Sequence, residues 1–278
     1  MGSPTPMMTP TDRPAVRPQA PMPDIQSSRD PRGLNLDEVG IQRLKLPLGI
    51  LERTDSRQMT VGTFTLAVSL DADRRGIHMS RLVEIVHALA PDFTPARALA
   101  SLEEMCQREE AAHARLEVTF PFFRRKQAPV SGSESLVDYT VSWVGAKHPA
   151  TPSSWSWILS VPVTTLCPCS REISLYGAHS QRARVTLTLT PRDTLDIETG
   201  LDLVESHASA ELYGLLKRSD EKYVTERAYE RPRFAEDLAR DIACALRGDP
   251  RFTHFRVAVE NFESIHNHSA FASVSSSP

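Results

Sequence analysis

The sequence predicts an α+β protein built from two antiparallel sheets, each carrying a pair of helices on one face. Two observations predict it. Period-two alternation of apolar and polar residues marks several strands, and apolar residues at helical spacing mark helix pairs between them. The elements run β-β-α-α-β-β in the first half, and the second half repeats that order without sequence identity to the first. With 278 residues, 40% hydrophobic and 24% charged, the chain suits one large globular domain or two modest ones.

Residues 1–34 hold eight of the 21 prolines, few large apolar side chains and no periodicity, which predicts a disordered tail. A first unit, 35–150, opens with strands over 43–52 and 58–70. In the second of these, Met59, Val61 and Thr63 interleave with Thr60, Gly62 and Phe64. Ser80 is placed to cap a helix whose Leu82, Ile85, Val86 and Leu89 share one face and which ends at Pro91. A helix over 95–112 follows, with Ala98, Leu102, Met105 and Cys106 at helical spacing, then strands over 113–123 and 136–147. The second unit, 151–268, has strands over 155–165 and 182–190 and helical patterns over 200–217 and 234–247. A short helix or turn near 220–229 lies between those helices, and a strand over 252–262 closes the unit. Residues 269–278 are small and polar, which predicts a flexible C-terminus.

A formal net charge of −3 and a pI near 6.3 argue against a general nucleic-acid or membrane-surface binder, so neither partner is expected. No apolar run approaches the roughly 20 residues of a membrane span. The N-terminus lacks a charged-then-apolar signal pattern, which reads as cytoplasmic. Four cysteines do not make a disulfide framework in a chain of this size, and Cys106 and Cys244 read as small buried hydrophobes.

Cys167 and Cys169 differ because Pro168 separates them. Proline removes a backbone donor and fixes φ, so the strand before Cys167 cannot continue through it, and a rigid turn presents sulfur at a strand end. His179 follows twelve residues after Cys167, and Glu263, His266 and His268 close the folded part of the chain. The spacing is not that of a zinc finger, and HExxH, the deaminase signature and the phosphate-binding GxxxxGK[ST] are absent. One sulfur as a metal ligand, a cysteine nucleophile activated by Arg171 and His179, and a buried turn with reduced thiols all stay open. His266 and His268 share a face if extended; a surface pair is the plainer reading. Glu109, Glu110 and His113 lie on a charged helix face and read as solvated, as do most charges between 221 and 237. Glu236 is ambiguous, since an acidic residue also complements a helix N-terminus.

Several segments together resemble the type IB GTP cyclohydrolases. They are Glu38-Val39-Gly40-Ile41 with Leu46-Pro47, Arg75-Gly76-Ile77-His78-Met79-Ser80-Arg81, and Val163-Thr164-Thr165-Leu166-Cys167-Pro168-Cys169-Ser170. Gly177-Ala178-His179-Ser180-Gln181-Arg182, Asp220-Glu221-Lys222 and Asn261-Phe262-Glu263-Ser264-Ile265-His266-Asn267-His268 complete the resemblance, which spans the whole folded chain.

The resemblance implies two tandem tunnelling-fold units per subunit and a homotetramer with active sites between subunits. It implies one divalent metal ion per active site, zinc, manganese or ferrous iron, held by Cys167, His179 and Glu221. A buried Glu236 would anchor the guanine of the substrate GTP, and Cys169, Glu263, His266 and His268 would line the same pocket beside Cys167 as catalytic groups. Arg171, Lys222, Arg81 and His78, with Lys45 and Arg227, are the cations available to the triphosphate. The implied reaction hydrates GTP at C8, opens the imidazole ring, expels formate and closes 7,8-dihydroneopterin triphosphate, the first step of tetrahydrofolate biosynthesis. The competing readings are another purine or pterin enzyme of the same fold, such as a nitrile reductase with a cysteine nucleophile, and a non-catalytic metal-stabilised assembly protein.

Overall fold

A computed structural model describes residues 23–276. Its strands are β1 (Leu36–Leu51), β2 (Arg57–Leu70), β3 (Ala114–Gln127), β4 (Glu134–His148), β5 (Thr151–Leu166), β6 (Ser180–Pro191), β7 (Ala210–Glu211), β8 (Phe252–Asn261) and β9 (Ala270–Ser275). Its helices are α1 (Met79–Leu89), α2 (Pro95–Glu109), α3 (Pro168–Ile173), α4 (Ile197–His207), α5 (Arg218–Glu230) and α6 (Ala235–Leu246), with a 3₁₀ turn at Ala90–Asp92. The strands form one antiparallel sheet in the order β1-β2-β3-β4-β5-β6-β8-β9, and β7 pairs with β5. The two separate sheets expected from sequence are therefore one. The β4–β5 hairpin joins the halves, pairing Trp143 with Trp157.

Alternation decides which face each strand buries. Tyr139, Val141 and Trp143 of β4, Leu159, Val161 and Val163 of β5, and Val185, Leu187 and Leu189 of β6 are all buried. They share one apolar core with α1, α2, α4 and α6. The opposite face is polar, with the hydroxyl pairs Thr119–Ser142 and Ser156–Thr190, each at 2.7 Å. Gly200 lets α4 lie close on β5, because a Cβ there would meet Leu159 Cδ1 at 2.2 Å.

That approach carries Glu205 of α4 into a buried ionic network. Lys126 Nζ donates to Glu205 Oε1 at 2.9 Å, and the Tyr139 hydroxyl donates to the same oxygen at 2.6 Å. Lys126 also pairs with Glu211 of β7, and Arg124 reaches Glu205 Oε2 at 3.4 Å. Burial, then the Glu205 carboxylate, raises the Tyr139 phenol well above its ordinary range.

Several elements differ from expectation. The pattern over 200–217 is not one helix: α4 stops at His207, and Ala210–Glu211 pairs with Val163 and Thr164. Ser80 does not cap α1, which begins at Met79 with His78 at the cap; the His78 N–H donates instead to Glu109 Oε2 at 3.0 Å. Glu109, expected to be solvated, is fully buried at the end of α2. Cys106 is buried, whereas Cys244 lies on the exposed side of α6.

The expected tail is structured over part of its length. Gln26 and Ser28 accept from the backbone of Gly76 and Arg75, Asp30 donates to Asp73, and Asp24 accepts from His78 Nε2 at 3.1 Å. Backbone pairing, which hydrophobic content does not register, orders this stretch; residues 1–22 lie outside the described residues. At the other end, Ala270–Ser275 is strand β9 rather than a flexible segment, because Ala272 and Val274 pack on the core in register with β8. Residues 277 and 278 lie outside the described residues. Among the described residues, no helix is long and apolar enough to cross a membrane.

Glu205→Leu should leave the Lys126 ammonium and the Tyr139 hydroxyl buried without their shared acceptor. The expected loss is about 3–5 kcal/mol, read as a lower urea midpoint at unchanged slope in equilibrium unfolding.

Candidate active site

The site begins where β5 ends. Pro168 has no N–H for the ladder, so the β5–β6 pairing closes with Leu166 opposite Ser180. Beyond the expected turn, the chain enters a helix. Pro168 takes the first position of α3, where its missing N–H is no loss, and Cys167 becomes the cap, its Sγ accepting from the Ser170 N–H at 3.4 Å. The Cys167 N–H donates to the His179 carbonyl at 3.1 Å. Ser170 Oγ donates to the Cys167 carbonyl at 3.1 Å and accepts from the His179 N–H at 3.2 Å. Cys167 and His179 are thus held as neighbours through their backbones, by one direct hydrogen bond and the bridging Ser170 hydroxyl.

His179 is oriented by Gln181. Gln181 Nε2 donates to Thr165 Oγ1 at 3.0 Å, so its Oε1 is left to accept from His179 Nδ1 at 2.9 Å. Nδ1 then carries the proton, and the Nε2 lone pair is available to a metal or an acid.

A cavity of about 330 Å³ opens here, lined by Cys167, Cys169, His179, Glu263, His266 and His268. The His266 and His268 rings stack with centroids 5.2 Å apart and planes at 18°. Ser264 Oγ lies 3.4 Å from His179 Nδ1. Cys167, His179 and Glu263 are half-buried, while Cys169, His266 and His268 are exposed.

The other expected site residues do not line this cavity. Glu221 and Lys222 are exposed on α5, and Lys222 Nζ pairs with Glu226 at 2.8 Å. Arg171 lies with its guanidinium carbon 4.8 Å from the centre of the Tyr229 ring. Glu236, expected to be buried, is exposed in the first turn of α6, because the opposite face, Leu238, Ala239 and Ile242, takes the core. His78 and Arg81 belong to the first half of the chain, where the Arg108 carbonyl accepts from Arg81 Nη1 at 2.5 Å.

Among the described residues, no three His, Cys, Asp or Glu side chains form a ready group for a metal ion. The donor chemistry nevertheless fits one. A half-buried thiol and an imidazole with a fixed Nε2 lone pair share the cavity wall. Glu221 shares a face of α5 with Val224 and Ala228, which pack around Leu166 and Ala178, the sequence neighbours of Cys167 and His179.

Gln181, Arg233, Phe234 and Asn261 also line the cavity and were missed from sequence. Two of them carried a signal. Gln181 precedes Ala183, Val185 and Leu187 in the buried register of β6, and Asn261 follows Phe255, Val257 and Val259 in that of β8. A polar residue at an inward position of a strand end needs an explanation.

The sequence matches the type I GTP cyclohydrolase folE2 family over residues 22–272. The chain belongs to this family. GTP cyclohydrolase FolE2 of Desulfosudis oleivorans is 46% identical over 91% of this chain and 97% of its own length. The same-named proteins of Neisseria meningitidis serogroup C and Methylococcus capsulatus are 50% and 48% identical, each over 90% of this chain and over 83% and 92% of their own. Among solved structures, uricase from Arthrobacter globiformis aligns with a TM-score of 0.53 at 9% identity, covering 86% of this chain and 92% of its own. A hyper-thermostable AgUricase mutant aligns at 0.56 with 10% identity, covering 87% and 92%. The chain thus shares its fold, a large antiparallel sheet with helices, with uricases.

In this family member, one buried carboxylate fixes the helix that carries Glu221. Asp220 accepts from the Val130, Ser131 and Lys217 N–H groups, each at 2.8 Å, and from Ser131 Oγ at 2.7 Å. Burial raises its carboxyl, but these donors outweigh that and hold it well below the usual carboxylate range. A lowered folded-state pKa gives stability that is complete above the unfolded value, about 3.9, and is lost as pH falls through the folded one. Asp220→Asn should therefore melt lower than wild type at pH 7. The gap should narrow below about pH 4, as measured by thermal unfolding across pH.

Proposed function

We infer that this protein converts GTP to 7,8-dihydroneopterin triphosphate and formate, entering tetrahydrofolate biosynthesis. The observation that carries the reading is one cavity gathering Cys167, Cys169, His179, Glu263, His266 and His268, in a chain whose relatives are called GTP cyclohydrolase FolE2. We assign it to type IB, with two tandem tunnelling-fold units, acting in the cytoplasm as a soluble enzyme.

Cys167 and His179, with Glu221 from α5, would hold one divalent ion, zinc, manganese or ferrous iron, which supplies a Lewis acid and acidifies water. The chain's own groups move the protons. Stacked His266 and His268, beside Glu263, offer imidazoles next to a carboxylate, suited to repeated transfers during ring opening and closure. Cys169, exposed at the first turn of α3, faces the same space and is a further proton carrier. Glu236 offers a carboxylate to guanine N1–H and the 2-amino group together, which selects guanine over adenine. Arg171, Lys222, Arg81 and His78 are the cations for the triphosphate.

Those cations and Glu236 lie away from the cavity within one chain, which favours a homo-oligomer, a tetramer in our reading, with sites completed between subunits. Ile173, Leu175 and Tyr176, beside the thiol turn, are 82%, 90% and 92% exposed. Apolar side chains so open next to a catalytic cavity suit cover by a second copy.

Purified protein given GTP and a divalent metal should release formate and a pterin that fluoresces after oxidation. Cys167→Ala and His179→Ala should each lower bound metal, measured by elemental analysis, and reduce turnover by at least 100-fold. No pterin from metal-loaded wild type would sink the reading.

A further inference from the structure

Two carboxamides line the cavity, and the structure treats them differently. Gln181 is 8% exposed, and both ends of its amide are used, accepting from His179 and donating to Thr165. Asn261 is more deeply buried, at 3%, yet its Oδ1 is shielded from solvent and has no hydrogen-bond partner. Its backbone is held by strand pairing, so a rotation of the side-chain amide towards the cavity is what can bring Oδ1 to a donor. Asn261 is the last residue of β8, paired with Ala183 of β6 and Ala270 of β9, and the next N–H, of Phe262, donates to the Arg182 carbonyl at 2.9 Å. A buried acceptor left open in a rigid frame is unfavourable in the free protein and becomes useful when a ligand brings a donor.

We propose that Asn261 is a catalytic residue whose Oδ1 accepts a hydrogen bond from N7–H of the opening guanine ring. The assignment rests on the GTP reading above. In GTP, N7 is an acceptor and has nothing to offer Oδ1. Water then adds across the C8=N7 double bond, its oxygen bonding to C8 and a proton going to N7. The C8–N9 bond breaks as the new hydroxyl collapses to a carbonyl, and the proton from that hydroxyl ends on N9. The product is a formamide on N7, and its N–H is a donor that did not exist in the substrate. Oδ1 is therefore matched to the hydrated and opened states and not to the ground state. An interaction of that kind raises kcat and leaves substrate binding unchanged. Glu263 reaches the same cavity two residues later, with His266 and His268 beyond it, so Asn261 and the proton carriers line one cavity.

The test compares metal-loaded wild type, Asn261→Leu and Asn261→Asp. Wild type must first form pterin from GTP, which checks the underlying reading separately. Asn261→Leu has nearly the same shape and removes the open acceptor. Its kcat should fall tenfold or more, while KM for GTP and the inhibition constant of 7-deaza-GTP, which lacks N7, stay within threefold. Its melting temperature should equal or exceed that of wild type, since an unpartnered buried polar group has gone; a purely structural role predicts the reverse. Asn261→Asp keeps an acceptor oxygen and should retain at least ten times the kcat of Asn261→Leu. Unchanged kcat in Asn261→Leu overturns the assignment, as does a loss confined to KM, or no difference in kcat between the two variants. If Asn261→Leu does not fold, Asn261→Asp decides alone: unchanged KM with at least a tenth of wild-type kcat supports the assignment, and a lower kcat or a raised KM overturns it.

Discussion

The rung formed by Leu166 of β5 and Ser180 of β6 is the last one the sheet can make, because Pro168 brings no donor to continue it. Everything at the cavity follows from where that ladder stops. Cys167 and His179 are the next residues on the two strands, and one further backbone hydrogen bond binds them together. Cys167 must then start a helix, since proline tolerates a first helical position but not a strand interior. Its thiol caps that helix and faces the cavity. The Ser170 hydroxyl, bonded to both residues, locks the pair. Cys167 and His179 are brought to one cavity by strand pairing, without any need for a long loop to fold correctly.

Around that rung the polar interior divides into a frame and a site. Three parts of the frame are satisfied: Asp220 accepts from four donors, Gln181 is bonded at both ends of its amide, and Glu205 takes Lys126, Tyr139 and Arg124 together. Such networks are rigid because losing any member leaves another polar group buried alone. Asn261 Oδ1, on a residue lining the cavity, is left without a partner, as are Glu109 Oε1, His78 Nδ1 and Trp143 Nε1 away from it. Stability is thereby concentrated in residues that need not move, leaving the reacting groups open to a substrate.

Much of this was legible in the sequence. Alternation located the strands, and the proline between two cysteines located the place where the ladder ends. What was hidden is hidden for physical reasons. Alternation says which face a strand buries but not which strand it pairs with, so the β4–β5 junction that makes one sheet carried no local mark. Two residues of β7 pair with β5 for want of any helical continuation, too few for a periodic signal. The ordering of 24–30 depends on backbone bonds to 73–76, which composition does not encode. Glu109 looked solvated by its neighbours Arg108 and Glu110, yet the helix end turns it inward to take the His78 N–H. Asn261 and Gln181 could have been found, since both are polar residues at inward positions of strands.

The distribution of charge and apolar surface supports our proposal that one chain holds only part of a working site. The cavity groups sit on β5, α3, β6 and the segment after β8. His78 and Arg81 sit on the first half, clamped to the end of α2 by its carboxylate and carbonyl. A triphosphate attached to a guanine in the cavity would need cations nearby. On the same chain Arg233 lines the cavity and pairs with Asp241, while Arg171 and Lys222 lie outside its lining, engaged with Tyr229 and Glu226. The segment from α3 to β6 meanwhile exposes Ile173, Leu175 and Tyr176, and the sheet ends in two outer strands, β1, bridged on its far edge to Phe93, and β9. Open strand edges and apolar loops are liabilities unless something covers them. A second copy that covers them can also bring a cation-bearing helix entry to the cavity, so the same contact would bury the apolar surface and supply the missing charge.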